Sequence, residues 1–240
     1  MTSFSYRITE PPNIEDLVTD DGEPVDNTFS EKQQRLLTES LYASWDYPEF
    51  LTMANVGLFY DAKQPPLVPD VLVSIDVQSA QNLREKPNHS YFMWKYSKAP
   101  EIVIEIVSNK KGREAESKLI DYAHIGIPYY AIFDPNKFIS NNVLRLYELY
   151  HDEYIQKADK YLPKLGLYLK LWQGTYETVN EQWLRWYNND NQLILTGKEL
   201  AEQEQQVAKL ERQRAELEKQ RADKLAAQLR ALGIEPEDKI

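Results

Sequence analysis

A carboxylate stands in the middle of the most strand-like segment of the chain, IVIEIV at residues 102–107. The other five residues of this segment are Ile or Val, and a run this rich in β-branched residues is typical of a strand buried on both faces. A charged group at such a position is costly unless a cation or hydrogen-bond donors compensate it. The fold must therefore bring a partner to Glu105.

Short apolar runs between turn residues surround this segment and predict a sheet. Because strands and helices alternate along this part of the chain, we expect an α/β domain in which a strand–helix–strand crossover forms part of a mixed sheet. We also expect short strands within residues 153–195 that pack on the same core. The runs that predict strands lie at residues 56–60, 71–77, 102–107, 129–133 and 143–149.

Two helices are predicted within this domain. Ser30 has the features of an N-cap, and apolar residues follow it at helical spacing, so we expect a helix over about 31–44. A second helix is expected from Gly112 to Ile125, ended by the Gly126 that follows.

Composition excludes several classes of protein. The chain has 240 residues and no Cys, so disulfide scaffolds, thiolate zinc sites and Cys nucleophiles are excluded. Its three His residues, at positions 89, 124 and 151, lack metal-ligand spacing. No apolar run is long enough for a membrane span, and the first residues lack a signal-peptide pattern, so we expect a cytoplasmic protein.

The net charge of −10 argues against a general nucleic-acid coat protein, but the charge is uneven. Residues 1–60 hold 3 basic and 11 acidic side chains, whereas residues 61–196 hold 16 and 17. The middle of the chain can therefore still present a local basic groove. These patterns predict an acidic arm over 1–29, a folded domain over 30–196, a long charged helix over 197–232 and a tail over 233–240.

The expected C-terminal helix carries a heptad-like apolar stripe. The stripe has a one-residue slip after Leu217, and Arg214 and Arg221 stand where apolar residues would complete a seam. Two interpretations stay open: a coiled-coil-like seam that makes a homodimer, or a solvated helix. The stripe consists of Leu200, Val207, Leu210, Leu217, Leu225, Leu229 and Leu232.

Asp70, Glu105 and Lys118 form the constellation that can carry chemistry. Asp70 begins one predicted strand and Glu105 lies within another, so pairing of these strands would bring two carboxylates together. Mg²⁺ prefers such oxygen ligands and leaves positions for water and phosphate, and the carbonyl of Ile106 is a further candidate ligand. Lys118, on the following helix, can reach the strand to hold or polarise a water.

Each of these residues also has a plainer interpretation. A Pro-Asp pair before a strand is often only a turn. Glu105 can be satisfied by a core Lys or Arg without any metal. Lys118 alone would be an ordinary solvated helix residue.

Four segments in order resemble the Uma2 family of restriction-endonuclease-fold proteins. The resemblance covers roughly residues 30–190, and its most specific part is the Gly-x-Pro-x-Tyr-x-x-x-Asp-Pro pattern after a Lys-x-x-x-Tyr helix. The segments are PDVLVSIDV (69–77), SYFMW (90–94), APEIVIEIVS (99–108) and KLIDYAHIGIPYYAIFDP (118–135).

The resemblance implies a restriction-endonuclease-like core that hydrolyses phosphodiester bonds in DNA with Mg²⁺, or Mn²⁺, and no organic cofactor. It assigns metal binding to Asp70 and Glu105 and assistance of the attacking water to Lys118. The general superfamily motif has a Lys where this chain has Val107, so Lys118 on the helix fills that role.

Other candidate residues are weaker. The basic turn of Lys110, Lys111 and Arg113 can approach phosphate or simply be solvated. Glu31 or Glu39 is a candidate for an additional acidic group. The aromatic residues Tyr91, Trp94 and Tyr96, with Lys95 and Lys98, can stack on bases or belong to a half-buried strand.

Two other functions compete with nuclease activity. One is a catalytically silent nuclease-fold scaffold or regulator that acts through its C-terminal helix. The other is a nucleic-acid-binding module without cleavage, whose salt-dependent binding would survive loss of Glu105.

Overall fold

A six-stranded mixed sheet forms the centre of the protein. The computed structural model describes residues 27–61, 63–108 and 114–233, without the side chains of 114–116. The helices within these ranges are α1 (Thr28–Ser44), α2 (Met93–Tyr96), α3 (Glu114–His124) and α4 (Gly197–Ala231). The strands are β1 (Phe50–Ala54), β2 (Leu58–Phe59), β3 (Val71–Ile75), β4 (Tyr91–Phe92), β5 (Ile102–Ile106), β6 (Tyr129–Phe133), β7 (Leu144–Tyr150), β8 (Glu153–Gln156), β9 (Tyr161–Leu162), β10 (Leu167–Tyr176) and β11 (Val179–Tyr187).

The order of strands in the central sheet is β1-β3-β5-β6-β7-β8. Within this sheet β5 and β6 are the one parallel pair, and α3 connects them, as a parallel pair requires a crossover. The other neighbours are antiparallel. This confirms the predicted α/β fold, with a strand–helix–strand crossover inside a mixed sheet.

Strand β5 is buried on both faces, as its sequence predicts. Ile102, Ile104 and Ile106 pack into a core cluster on the side of α1. Val103 and Val107 belong to a second cluster, on the side of α3. Because side chains alternate along a strand, Glu105 lies on the α3 side with the two valines.

A second sheet, in the order β11-β10-β9, packs on the first core through α1. The Gln33 side chain on α1 accepts from the Leu184 amide at 2.8 Å and donates to the Leu184 carbonyl at 2.9 Å. The prediction of strands in residues 153–195 that pack on the same core is confirmed, and β8 and β9 are short, with four and two residues. It underestimates β10 and β11, which have ten and nine residues. Polar residues on their exposed faces hide this length in the sequence.

Two local predictions near the N-terminal side need correction. Ser30 is not the N-cap of α1: its amide donates to the side chain of Asn27, which caps the helix, and Ser30 is buried. The strand expected at 56–60 is only the two-residue β2. The strand at that edge of the central sheet is instead β1, whose apolar run is interrupted by Thr52.

The long helix α4 confirms the predicted helix to within one residue at its end. A capping box of Thr196 and Glu199 begins it, and the buried guanidinium of Arg185 binds both Glu199 oxygens at 3.0 and 2.7 Å. Beyond residue 200 nearly all of α4 is exposed, including Val207 and Leu217 of the apolar stripe. A homodimer through this helix stays a prediction.

The arm at 1–29 lies almost wholly outside the described residues, and so does the tail after Gly233. None of the helices in the described part of the chain has the length and apolar character needed to cross a membrane.

We expect Glu199→Gln to lower the free energy of unfolding by about 2 kcal/mol, because the buried Arg185 loses its charged partner. Urea denaturation measures this change. Glu204→Gln on the exposed part of α4 is the control and should leave stability unchanged, as should deletion of residues 206–240. A large loss on that deletion would contradict the view that only the first turn of α4 is packed.

Candidate active site

Glu105 is held by two side chains of α3. The Lys118 ammonium lies 3.0 Å from each carboxylate oxygen of Glu105, and the Tyr122 hydroxyl donates to Oε1 at 2.6 Å. Lys118 and Tyr122 are four residues apart and therefore share one face of the helix. The crossover that follows β5 thus returns both donors to the carboxylate in that strand.

Asp70 lies beside Glu105 at the start of β3. The pairing of Val71 with Ile104, continued by one residue, places Asp70 opposite Glu105. The Ile106 amide donates to Asp70 Oδ2 at 2.5 Å, and the Gln34 side chain of α1 donates to Oδ1 at 3.0 Å. Two neighbouring strands and helices from both faces of the sheet therefore meet at this pair of carboxylates.

Lys118 also bridges to the segment that leads into β3. Its ammonium lies 3.4 Å from the carbonyl of Val68, two residues before Asp70. The Lys118 side chain is 22% exposed, so the cation stands at the boundary between the core and solvent. Access from solvent to this end of the sheet is what a substrate would require.

Burial raises the pKa of the Tyr122 hydroxyl well above its ordinary value, and the charge of Glu105 raises this pKa further. The charge of Asp70 acts in the same direction, which agrees with the nearness of the two carboxylates. Tyr122 therefore remains a neutral donor that holds one oxygen of Glu105.

The structure brings Asp70, Glu105 and Lys118 together, and it also contains the Glu105–Lys118 ion pair that the metal-free interpretation requires. Ile106 contacts Asp70 through its amide; a metal-binding role for its carbonyl stays a prediction. The candidate phosphate contacts Lys110, Lys111 and Arg113 lie outside the described residues.

The proposed additional acidic groups lie elsewhere. Glu31 pairs with Arg35 on the surface of α1. Glu39 accepts from the Gly197 amide, where α1 meets the start of α4. The side chain that α1 contributes to the Asp70 carboxylate is Gln34.

Gln34 and Tyr122 were not identified as site residues from the sequence. Gln34 is a buried polar residue on the face of α1 that also carries Leu37 and Leu41. A polar residue on such a face is a signal of a specific partner. Tyr122 follows Lys118 by one helical turn, and that spacing is a signal that both reach the same group.

The carboxylate oxygens of this site are suitable ligands for a hard divalent cation. Asp70 and Glu105 supply oxygen ligands from adjacent strands, and Mg²⁺ commonly takes one or two carboxylates and completes its coordination with water and phosphate. The Lys118 ammonium already lies against Glu105, which shows that this position favours positive charge. No cluster of three or more His, Cys, Asp or Glu side chains suited to a metal occurs in the part of the chain that the structure describes.

The fold and site define an α/β protein with paired carboxylates and a lysine at one end of a mixed sheet. A model of the Uma2 family, described as "Putative restriction endonuclease", matches residues 13–165. This match covers more than half of the chain, and the protein belongs to that family.

One solved structure similar to the chain is described as "a putative nuclease belonging to DUF820 from Anabaena variabilis ATCC 29413". It shares 13% sequence identity, and the alignment covers 57% of this chain and 71% of that chain with a TM-score of 0.40. No curated protein sequence matches the chain.

We expect Lys118→Met to lower the free energy of unfolding by about 2–3 kcal/mol, because the buried Glu105 loses its cationic partner. The double variant Glu105→Gln/Lys118→Met should recover part of this loss, since the buried carboxylate is gone. Urea denaturation of the single and double variants gives the interaction energy. Equal stability of Lys118→Met and wild type would contradict the ion pair.

Proposed function

We propose that the protein is a metal-dependent endonuclease that hydrolyses phosphodiester bonds in DNA. The observation that carries this proposal is the meeting of Asp70, Glu105 and Lys118 at one solvent-facing end of the sheet. Membership of the Uma2 family, whose description names a restriction endonuclease, supports the same activity.

Asp70 and Glu105 would hold Mg²⁺ or Mn²⁺, with the Ile106 carbonyl as a further candidate ligand. A bound divalent ion lowers the pKa of a coordinated water and neutralises the charge that develops on the scissile phosphate. The amide of Ile106 and the side chain of Gln34 fix the orientation of Asp70. Tyr122 does the same for one oxygen of Glu105.

Lys118 would hold the attacking water or pair with a phosphate oxygen. Its ammonium has three donors on a flexible stem, and its present partners are Glu105 and the carbonyl of Val68. If a metal ion binds Glu105, the Lys118 ammonium can turn toward a substrate phosphate and still remain in the site. Its partial exposure gives it the necessary room.

A catalytically silent scaffold is the second candidate, favoured by the long exposed α4 and by the complete ion pair between Glu105 and Lys118. In that case the carboxylate is satisfied by the protein alone. A second copy that pairs through α4 would suit either function.

Cleavage of supercoiled plasmid and single-stranded DNA in Mg²⁺ or Mn²⁺ tests the proposal. Glu105→Gln should reduce the rate by about a hundredfold or more, because it removes a charged metal ligand while preserving shape. Lys118→Ala should retain metal binding and lose most of the rate.

Glu101→Gln is the matched control. Glu101 is a second buried carboxylate of the same segment, paired with Lys98 at 2.5 Å, at the opposite end of β5. Its amide variant should cleave DNA at nearly the wild-type rate. Equal loss in both variants, or no metal-dependent cleavage by wild type, would overturn the proposed function.

A further inference from the structure

Three aromatic rings, from β2, β4 and α2, contact one another in series. The rings of Phe59 and Phe92 stack with centroids 4.8 Å apart, and Phe92 contacts Trp94 at 5.3 Å. Parallel pairing of β2 with β4 sets Phe59 beside Phe92. We call Phe59, Phe92 and Trp94 the aromatic ladder.

The ladder is open to solvent at Trp94. This residue is 55% exposed, whereas Phe59 and Phe92 are half-buried beneath it. An exposed indole at the end of a row of contacting rings is unusual for a residue that serves only the core. It offers a flat face on which another ring can stack.

The other aromatic residues of this region serve the core. Tyr91 is fully buried and its hydroxyl bonds to Ser74, while Tyr96 stacks on the Tyr91 ring. Lys98 is held by Glu101. Of the residues that the sequence indicated for base stacking, Trp94 and Lys95 are the ones left exposed.

The segment that carries Phe92 and Trp94 is basic in a chain that is acidic overall. Residues 79–98 contain four basic side chains and one acidic side chain, against a net charge of −10 for the whole chain. Arg84, Lys86 and Lys95 are all exposed. Lys95 contacts Asn88. This local charge suits a phosphate backbone.

Backbone hydrogen bonds connect the strand that carries Phe59 to the segment that contacts Lys118. Leu58, next to Phe59, exchanges hydrogen bonds of 2.7 and 3.1 Å with Leu67. The next residue, Val68, lies against the Lys118 ammonium. The backbone of β2 therefore lies next to the segment that contacts Lys118.

We propose that the aromatic ladder, with Arg84, Lys86 and Lys95, binds unpaired nucleotides of a nucleic-acid substrate. This inference rests on the proposed nuclease function and narrows its substrate to DNA with a single-stranded segment. Bases stacked within a duplex cannot offer a free face to Trp94, whereas unpaired bases can.

The test measures binding of a fluorescently labelled twelve-nucleotide oligo-dT and of a duplex of equal length to the full chain. Fluorescence anisotropy in EDTA keeps binding separate from cleavage. Wild type should bind the single strand more tightly than the duplex. Trp94→Ala should weaken single-strand binding about tenfold, since stacking on one base contributes roughly 1–3 kcal/mol, and Trp94→Phe should restore most of the affinity.

Tyr150→Ala is the matched control, because Tyr150 is a comparably exposed aromatic residue on β7. It should bind oligo-dT like wild type. The double variant Arg84→Ala/Lys86→Ala should reduce the slope of log K against log salt by about 1.4, the value for two phosphate contacts on a single strand.

Unchanged binding in Trp94→Ala, or wild-type binding that is equal for single strand and duplex, would overturn the proposal. Binding to neither DNA would also overturn it and would leave the ladder as a surface for another kind of partner. If Trp94→Ala loses binding and wild type does not cleave DNA, the result would support nucleotide binding by the aromatic ladder and refute the proposed nuclease activity. Cleavage by wild type that is unaffected in Trp94→Ala, together with unchanged binding, would refute the ladder alone.

Discussion

The buried carboxylate of Glu105 constrains the rest of the structure. It lies in a central strand covered on both faces, where its charge is tolerable only with specific partners. Lys118 and Tyr122 supply these from α3, so the crossover helix must dock in one register over β5. The apolar contacts of α3 and the polar contacts at Glu105 thus specify the same arrangement.

The two ends of β5 show why one buried carboxylate is a candidate for chemistry and the other is not. Glu101 binds Lys98 and the Ile75 amide, which locks a loop to the neighbouring strand. Glu105 has a second carboxylate, Asp70, beside it, and its lysine stands at the boundary with solvent. Two neighbouring carboxylates repel each other and lower the stability of the fold. A bound cation would remove this repulsion between Asp70 and Glu105.

The sequence allowed prediction of the features that depend on one segment at a time. The nearly continuous apolar character and the length of β5 and β6, the crossover and the long helix α4 follow from local patterns. The joining of Asp70, Glu105 and Lys118 was also predictable, because it depends on pairing of two recognisable strands. Gln34 escaped prediction, since its contact with Asp70 depends on how α1 packs across a sheet far away in sequence.

The extent of β10 and β11 and the edge strand β1 also escaped prediction. One face of these strands is exposed to solvent, so polar and apolar residues are mixed along them. Their ends are set by the strands with which they pair, which the local sequence does not show. The N-cap of α1 was misplaced for a related reason: Asn27 and Ser30 are both good caps, and the burial of Ser30 in the folded protein decides between them.

Calorimetric titration of the protein with Mn²⁺ tests most directly whether the Asp70–Glu105 pair is a metal centre. We expect Mn²⁺ to bind wild type at millimolar or lower concentration, not to bind Asp70→Asn, and to bind Glu101→Gln as it binds wild type. Absence of binding to wild type, or binding that Asp70→Asn leaves unchanged, would show that these carboxylates serve the fold alone.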